Sequence, residues 1–136
     1  FVIPFSDSPN DEEKVSENII LHMLYDAKET IFITTPYLII DNELYYAITY
    51  AAKRGIDVRI IIPGIPDKKI PYLVAKSYFP SLIKSGVKIY TYTGGFIHSK
   101  MYLVDDKVSM IGTVNLDYRS LYLHFENGYP LFSSID

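Results

Sequence analysis

Two short segments of similar pattern restrict how this chain can fold: Lys53-Arg54-Gly55-Ile56 and Lys84-Ser85-Gly86-Val87. Each sets a glycine between a stretch of helical periodicity and a run rich in β-branched residues. Glycine accepts the left-handed backbone that closes a helix. β-branched residues suit the pleated surface of a strand. The chain therefore reads helix, stop, strand, twice over. That is the signature of βαβ units and a parallel sheet.

The rest follows in order. Phe1 to Phe5 alternates briefly, as a short edge strand does, and Ser6 to Asn10 is a polar connection with N-cap chemistry. From Asp11, Val15, Ile19, Ile20, Met23, Leu24 and Ala27 recur at helical spacing, with Glu12 and Glu13 in the first turn. Thr30 to Thr35 is a buried strand ended by Pro36. Asp41-Asn42 caps a second helix, whose apolar face is Leu44, Ala47, Ile48, Ala51 and Ala52. Ile56 to Ile62 is the next strand. Pro71 fits the first turn of a third helical region, which Pro80 divides in two. Val87 to Tyr92 is a strand.

The pattern then changes. Ser99 to Val104, a turn at Asp105-Asp106-Lys107, and Val108 to Ile111 read as a hairpin. A short helix over Leu116 to Leu121 and a strand over Phe125 to Phe132, marked as an edge or irregularity by Pro130, complete the chain. The expectation is one α/β domain over residues 1–136, with a mixed, largely parallel sheet and helices on both faces.

Composition narrows the function classes. The net charge of −3 gives no basic footprint, so no nucleic-acid partner is expected. With no cysteine, disulfides and thiolate metal sites are excluded. No cluster of carboxylates and histidines stands at ligand spacing, so no metal or other cofactor is expected. The thirteen tyrosines read as packing residues.

Chemistry concentrates between Gly94 and Asn115. On a strand, His98 and Lys100 would share a face, about 6–7 Å apart. An imidazole beside a fixed cation suits reaction at a phosphate. The segment meets H-x-K-x4-D-x6-G-[ST]-x-N at His98, Lys100, Asp105, Gly112, Thr113 and Asn115, six specified positions within 18 residues. A phosphodiester needs a nucleophile, a proton donor for the leaving alcohol, and cations for the phosphoryl oxygens. His98 can be the nucleophile or the general acid. Lys100 and the Asn115 amide can bind the phosphoryl oxygens. Thr113 can donate a hydroxyl hydrogen bond to the phosphate or cap the next turn, and Gly112 allows close backbone approach beneath it. Asp105 has the opposite strand parity and sits at the turn, so it is read as structural. His22 and His124 are read as structural or exposed, and Lys68 and Lys69 as a solvated helix start.

This pattern resembles the phospholipase D superfamily motif, and the chain resembles the second catalytic half of bacterial cardiolipin synthases. Thr34-Thr35-Pro36-Tyr37, Ala51 to Arg59, Lys76-Ser77-Tyr78-Phe79, Asn115-Leu116-Asp117-Tyr118-Arg119-Ser120 and Phe125-Glu126 carry the likeness. After Glu126 the chain departs from it, with Asn127-Gly128-Tyr129-Pro130 where the family strand is more apolar.

The resemblance implies a metal-independent phosphohistidine route, with Glu126 orienting His98. Arg119 is expected in an ion pair with Asp117 or a neighbour. It further implies transfer of a phosphatidyl group between two phosphatidylglycerol molecules, releasing glycerol. One motif is half a site, so a second half in the same, longer chain is expected. That parent would sit at the cytoplasmic face of the cell membrane, and the isolated fragment would be soluble and inactive. The alternative reading is a single-motif homodimeric phosphodiesterase or nuclease.

Overall fold

The computed structural model describes residues 1–10 and 12–133. Its elements are β1 (Phe5–Asp7), α1 (Val15–Asp26), β2 (Thr30–Thr34), β3 (Leu38–Ile39), α2 (Asn42–Lys53), β4 (Asp57–Pro63), α3 (Lys69–Lys84) and β5 (Lys88–Tyr92). They continue with β6 (Met101–Val104), β7 (Val108–Gly112), β8 (Leu116–Asp117), α4 (Tyr118–Tyr122) and β9 (Glu126–Phe132). The large sheet runs β1-β9-β7-β6-β2-β4-β5, and β3 pairs with β8 separately.

Local chemistry explains most boundaries. The Asp41 carboxylate accepts the Leu44 N–H at 2.9 Å and starts α2. Gly55 and Gly86 hold φ of +93° and +101° just past α2 and α3, the conformation that glycine was expected to supply. Helix α1 is capped from a distance. The Asp7 carboxylate on β1 accepts the Ser16 N–H at 2.8 Å, so the helix begins at Val15. Glu12 and Glu13 therefore precede the helix, and Glu17 takes the acidic place in its first turn. The expected start at Asp11 lies outside the described residues.

Three further expectations are corrected. Helix α3 runs unbroken through Pro80. Proline removes one hydrogen bond, to the carbonyl four residues back; here Pro80 and Lys76 are both exposed, so water can satisfy that carbonyl. The last helix starts at Tyr118, because Asp117 ends β8 and caps α4 by accepting the Ser120 N–H at 2.7 Å. Pro130 lies in β9, between β7 and the N-terminal segment. Its carbonyl accepts from Ile3, so its missing N–H faces that segment and the β7–β9 ladder is uninterrupted.

The α/β class and the mixed sheet are as expected, but the finer layout differs. Four of the six pairings in the large sheet are antiparallel, so parallel character is confined to β2, β4 and β5. The main helices also share one face. Ile31, Ile33, Val58, Ile60 and Ile62 are buried in one cluster with Leu24 of α1, Ile48 of α2 and Leu82 of α3. Alternate residues on the same strands and their neighbours, including Phe32, Arg59, Tyr90 and Ile111, are half-buried or exposed. The cause is topological. Successive right-handed crossovers that step the same way along a sheet put their helices on the same side.

A buried polar knot joins the helices. The Tyr122 hydroxyl contacts the carboxyls of both Glu17 (2.7 Å) and Asp41, while Lys14 lies 3.7 Å from Glu17. Glu17 is 1% exposed. Burial, then the hydrogen bond and charge of Asp41, push its carboxyl up to about 7. The folded chain thus holds a proton here that the unfolded chain, near 4.5, gives up. This contribution to stability is complete below 4.5 and is lost as pH rises through about 7. Urea midpoints measured between about pH 5 and pH 8 are expected to fall with rising pH, and Glu17→Gln to flatten that slope. A slope unchanged in the variant would contradict this assignment.

Candidate active site

The site forms where β2, β6 and β7 meet at one end of their strands, and a turn at the opposite end fixes it. Asp105 and Asp106 have φ of 52° and 53°, and Lys107 N–H donates to Val104 at 3.0 Å. Two positive φ values define the tight hairpin turn that matches strand twist, and Asp tolerates them. The Asp105 carboxylate accepts the N–H groups of Lys28 (2.7 Å), Glu29 (2.8 Å) and Thr30 (2.8 Å). Its own N–H donates to the Thr30 carbonyl at 3.0 Å. Burial works to raise this carboxyl, but the three backbone donors hold it below the usual range. The β6–β2 register, Val104 on Ile31 through Met101 on Thr34, follows from this clamp.

His98 and Lys100 therefore lie just beyond the end of β2. They are not on the strand, as expected from the alternation, because β6 pairs only from Met101. The Lys100 ammonium donates to the His98 carbonyl at 2.8 Å. The His98 ring stacks on Phe96, with centroids 5.7 Å apart, and meets Tyr37 edge-on at 6.1 Å. Among the described residues neither ring nitrogen has a hydrogen-bond partner.

The opposite wall comes from the chain after β7. A Cβ on Gly112 would stand 2.2 Å from the Asn127 carbonyl oxygen, so the close approach Gly112 permits is to β9 and not to a phosphate. Thr113 is similarly committed. Its hydroxyl accepts the Asn127 N–H at 2.9 Å and lies 3.4 Å from the Asn127 carbonyl, while the residue lines the same cleft as His98 and Lys100. The Tyr102 hydroxyl donates to Val114, and Leu116 N–H donates to the Thr35 hydroxyl. These bonds carry Asn115 to the cleft.

Asn115 and Glu126 meet through a serine that sequence reading passed over. The Ser120 hydroxyl accepts the Asn115 N–H at 2.9 Å and donates to Glu126 at 2.6 Å. The Glu126 carboxylate also lies 3.6 Å from His124 Nδ1. Glu126 was expected to orient His98, but it is Ser120 and His124 that it contacts. The Asn115 Oδ1 is buried with no partner among the described residues. A buried unsatisfied polar atom is costly; Oδ1 is an acceptor, so it is the NH2 of this side chain that can donate to a phosphoryl oxygen.

His98, Lys100, Asn115, His124 and Glu126 line one cleft of about 470 Å³. His98 also faces an adjoining cavity of about 280 Å³ that includes Tyr37, Asp67, Lys68 and Arg119. His124, read as structural or exposed, thus belongs to the site. Tyr37 and Lys68 join it from across the fold, and only tertiary structure reveals that. Arg119 is exposed and has no ion pair among the described residues, because Asp117 is committed to capping α4.

Burial and the nearby Lys100 and Lys68 lower the His98 pKa, against the pull of Asp67. Lys100 is lowered by burial, with Glu126, Asp117 and Asp67 opposing. Burial and the hydrogen bond to Asp67 push Tyr37 up to about 12. The cleft thus offers an imidazole biased toward its neutral form beside an ammonium. That pair can attack or deprotonate at an anion and bind its oxygens.

Residues 20–134 match the family described as cardiolipin synthase, PLD-like domain. The chain belongs to this family. It is 44% identical to a cardiolipin synthase of Halalkalibacterium halodurans, over 89% of this chain and 24% of that one. It is 56% identical to an uncharacterized protein of Streptococcus mutans serotype c, over 93% of this chain and 27% of that one. The chain thus spans about a quarter of the length of these curated relatives. Among solved structures, the phospholipase D family member Nuc from Salmonella typhimurium shares the fold, with a TM-score of 0.78 at 22% identity. That match covers 98% of this chain and 83% of Nuc.

The electrostatics of this PLD-like domain can be tested without a substrate. Lys100→Met removes one cause of the lowered His98 pKa and is expected to move it up toward 6.5. An imidazole NMR titration checks this. An unchanged or lower midpoint would show that Lys100 does not act on His98.

Proposed function

We propose that this domain supplies one of two half-sites for phosphatidyl transfer: the formation of cardiolipin from two phosphatidylglycerol molecules, with release of glycerol. The reading rests on one observation above all. His98, Lys100 and Asn115 line the same cleft, in a chain of the cardiolipin synthase family.

A metal-independent phosphohistidine route assigns the roles. An imidazole nitrogen attacks phosphorus, the bond to the departing glycerol oxygen breaks, and a second group gives that oxygen its proton. The hydroxyl of a second phosphatidylglycerol then loses its proton to the same group and attacks phosphorus, breaking the P–N bond. A single imidazole cannot be nucleophile and proton donor in one step, so the second motif comes from another half of a longer protein. In this scheme His98 is the acid and then the base, and the other half supplies the nucleophile. Lys100 and Asn115 bind the phosphoryl oxygens. A bound diester anion favours the charged imidazole, countering the effect of burial and of Lys100 and Lys68 on the His98 pKa. Glu126 acts on the cleft through Ser120 and His124, and Asp105 acts by fixing β6.

The parent protein works at the membrane surface, where its lipid substrate resides. Among the described residues no helix is long and apolar enough to cross a membrane.

The test uses the full-length protein that contains this domain, supplied with phosphatidylglycerol. Cardiolipin and glycerol are expected, and His98→Ala is expected to lower the rate by about 100- to 10,000-fold. Turnover unaffected by His98→Ala would overturn the reading. Cleavage of DNA by the isolated domain as a dimer would instead support a single-motif phosphodiesterase.

A further inference from the structure

The cleft at His98 does not end in water on every side. Its smaller cavity shares Tyr37, Lys68, Asp117 and Arg119 with a neighbouring groove of about 320 Å³, within the size range of ligand pockets. Beyond those shared residues the groove is lined by Ile39, Pro71, Tyr118 and Leu123. Leu123 and Tyr118 are 63% and 55% exposed, so two large apolar side chains face solvent at its wall.

Polarity therefore changes in sequence along one connected surface. Imidazole and ammonium come first, at His98 and Lys100. Lys68 and Arg119 follow, neither with an ion-pair partner among the described residues; the two carboxylates beside them are engaged elsewhere, Asp67 by the Tyr37 hydroxyl and Asp117 by the Ser120 N–H that starts α4. Aliphatic and aromatic side chains come last. We propose that this groove holds the glycerol backbone and the first acyl carbons of a phospholipid whose phosphate lies at His98 and Lys100. The inference rests on the phosphatidyl-transfer reading and extends it to a binding subsite.

Two features single out a lipid as the occupant. The groove is continuous with the phosphate cleft, and only an amphiphile matches both ends. The cations stand at the junction, where the anionic part of such a molecule passes. A nucleic acid fits less well. Its charge repeats along its whole length, whereas here the cations stop where the Ile39, Pro71 and Leu123 wall begins.

Calorimetric titration of the full-length protein that contains this domain tests the proposal with three probes: dihexanoylphosphatidylglycerol below its micelle-forming concentration, the deacylated glycerophosphoglycerol, and a deoxydinucleotide. The acylated ligand is expected to bind about 10-fold or more tightly than the deacylated one, as burial of two or three methylenes implies. Leu123→Asp is expected to bring that ratio close to one, and Tyr118→Ser to reduce it. Far-ultraviolet circular dichroism checks that each variant is folded. A ratio near one in the unaltered chain, or one untouched by both variants, would overturn the subsite while leaving the phosphate cleft standing. Absence of binding by either glycerol ligand would overturn the phospholipid reading, and the subsite with it. Tightest binding by the dinucleotide, lost in Leu123→Asp, would overturn the lipid assignment in favour of a nucleic acid.

Discussion

The carboxylate of Asp105 is the constraint on which the rest of the site depends. It satisfies three consecutive N–H groups at the start of β2 from a turn in the left-handed region. Charge-assisted bonds to backbone donors are among the stronger hydrogen bonds. A strand that slips by one residue turns every side chain to the other face. Holding β6 against β2 at this end therefore decides, seven residues earlier in the chain, where His98 emerges at the other. A residue far from the cleft thus sets the position of His98, which gives an acid in the motif a reason to be there.

The opposite wall depends on committed polar groups in the same way. Thr113 is bound to Asn127, Ser120 to Asn115 and Glu126, and Asp117 to the start of α4. These groups have used their hydrogen-bonding capacity on the fold. What remains for the cleft is a short set: the His98 ring nitrogens, the Lys100 N–H groups beyond the one bonded to the His98 carbonyl, and the Asn115 side-chain NH2. That remainder matches what a phosphodiester asks of a protein, a proton carrier with donors for its oxygens. The site sits at the carboxyl ends of β2, β4 and β5, the usual place for ligands in open α/β sheets.

The legible parts of the sequence were those governed by local chemistry. Asp41 before a helix, Gly55 and Gly86 after helices, and the Asp105-Asp106 turn each act through their own backbone, so the pattern alone located them. Pro80 misled because its cost depends on which side of the helix faces water. The layering misled because it depends on the direction of successive crossovers. Within the site, His98, Lys100 and Asn115 stood out by spacing. Ser120 and His124 did not, since their part is defined by Glu126, which β9 brings alongside. Tyr37 and Lys68 reach the cleft from β2's far end and the start of α3, across 61 and 30 residues of chain from His98. No local signal marks such a meeting. Glu126 shows the reverse problem. Its burial agrees with a functional carboxylate, but its partners could be read only from coordinates.

The central claim is that these open groups form one phosphoryl-binding site. The most direct measurement is a titration of the isotopically labelled chain with orthovanadate, a phosphoryl mimic, followed by NMR at imidazole, ammonium and side-chain amide resonances. Our account predicts that His98, Lys100 and Asn115 shift together with a single affinity, and that the His98 pKa rises on binding. Shifts confined to exposed lysines such as Lys69, with His98 and Asn115 unmoved, would contradict it.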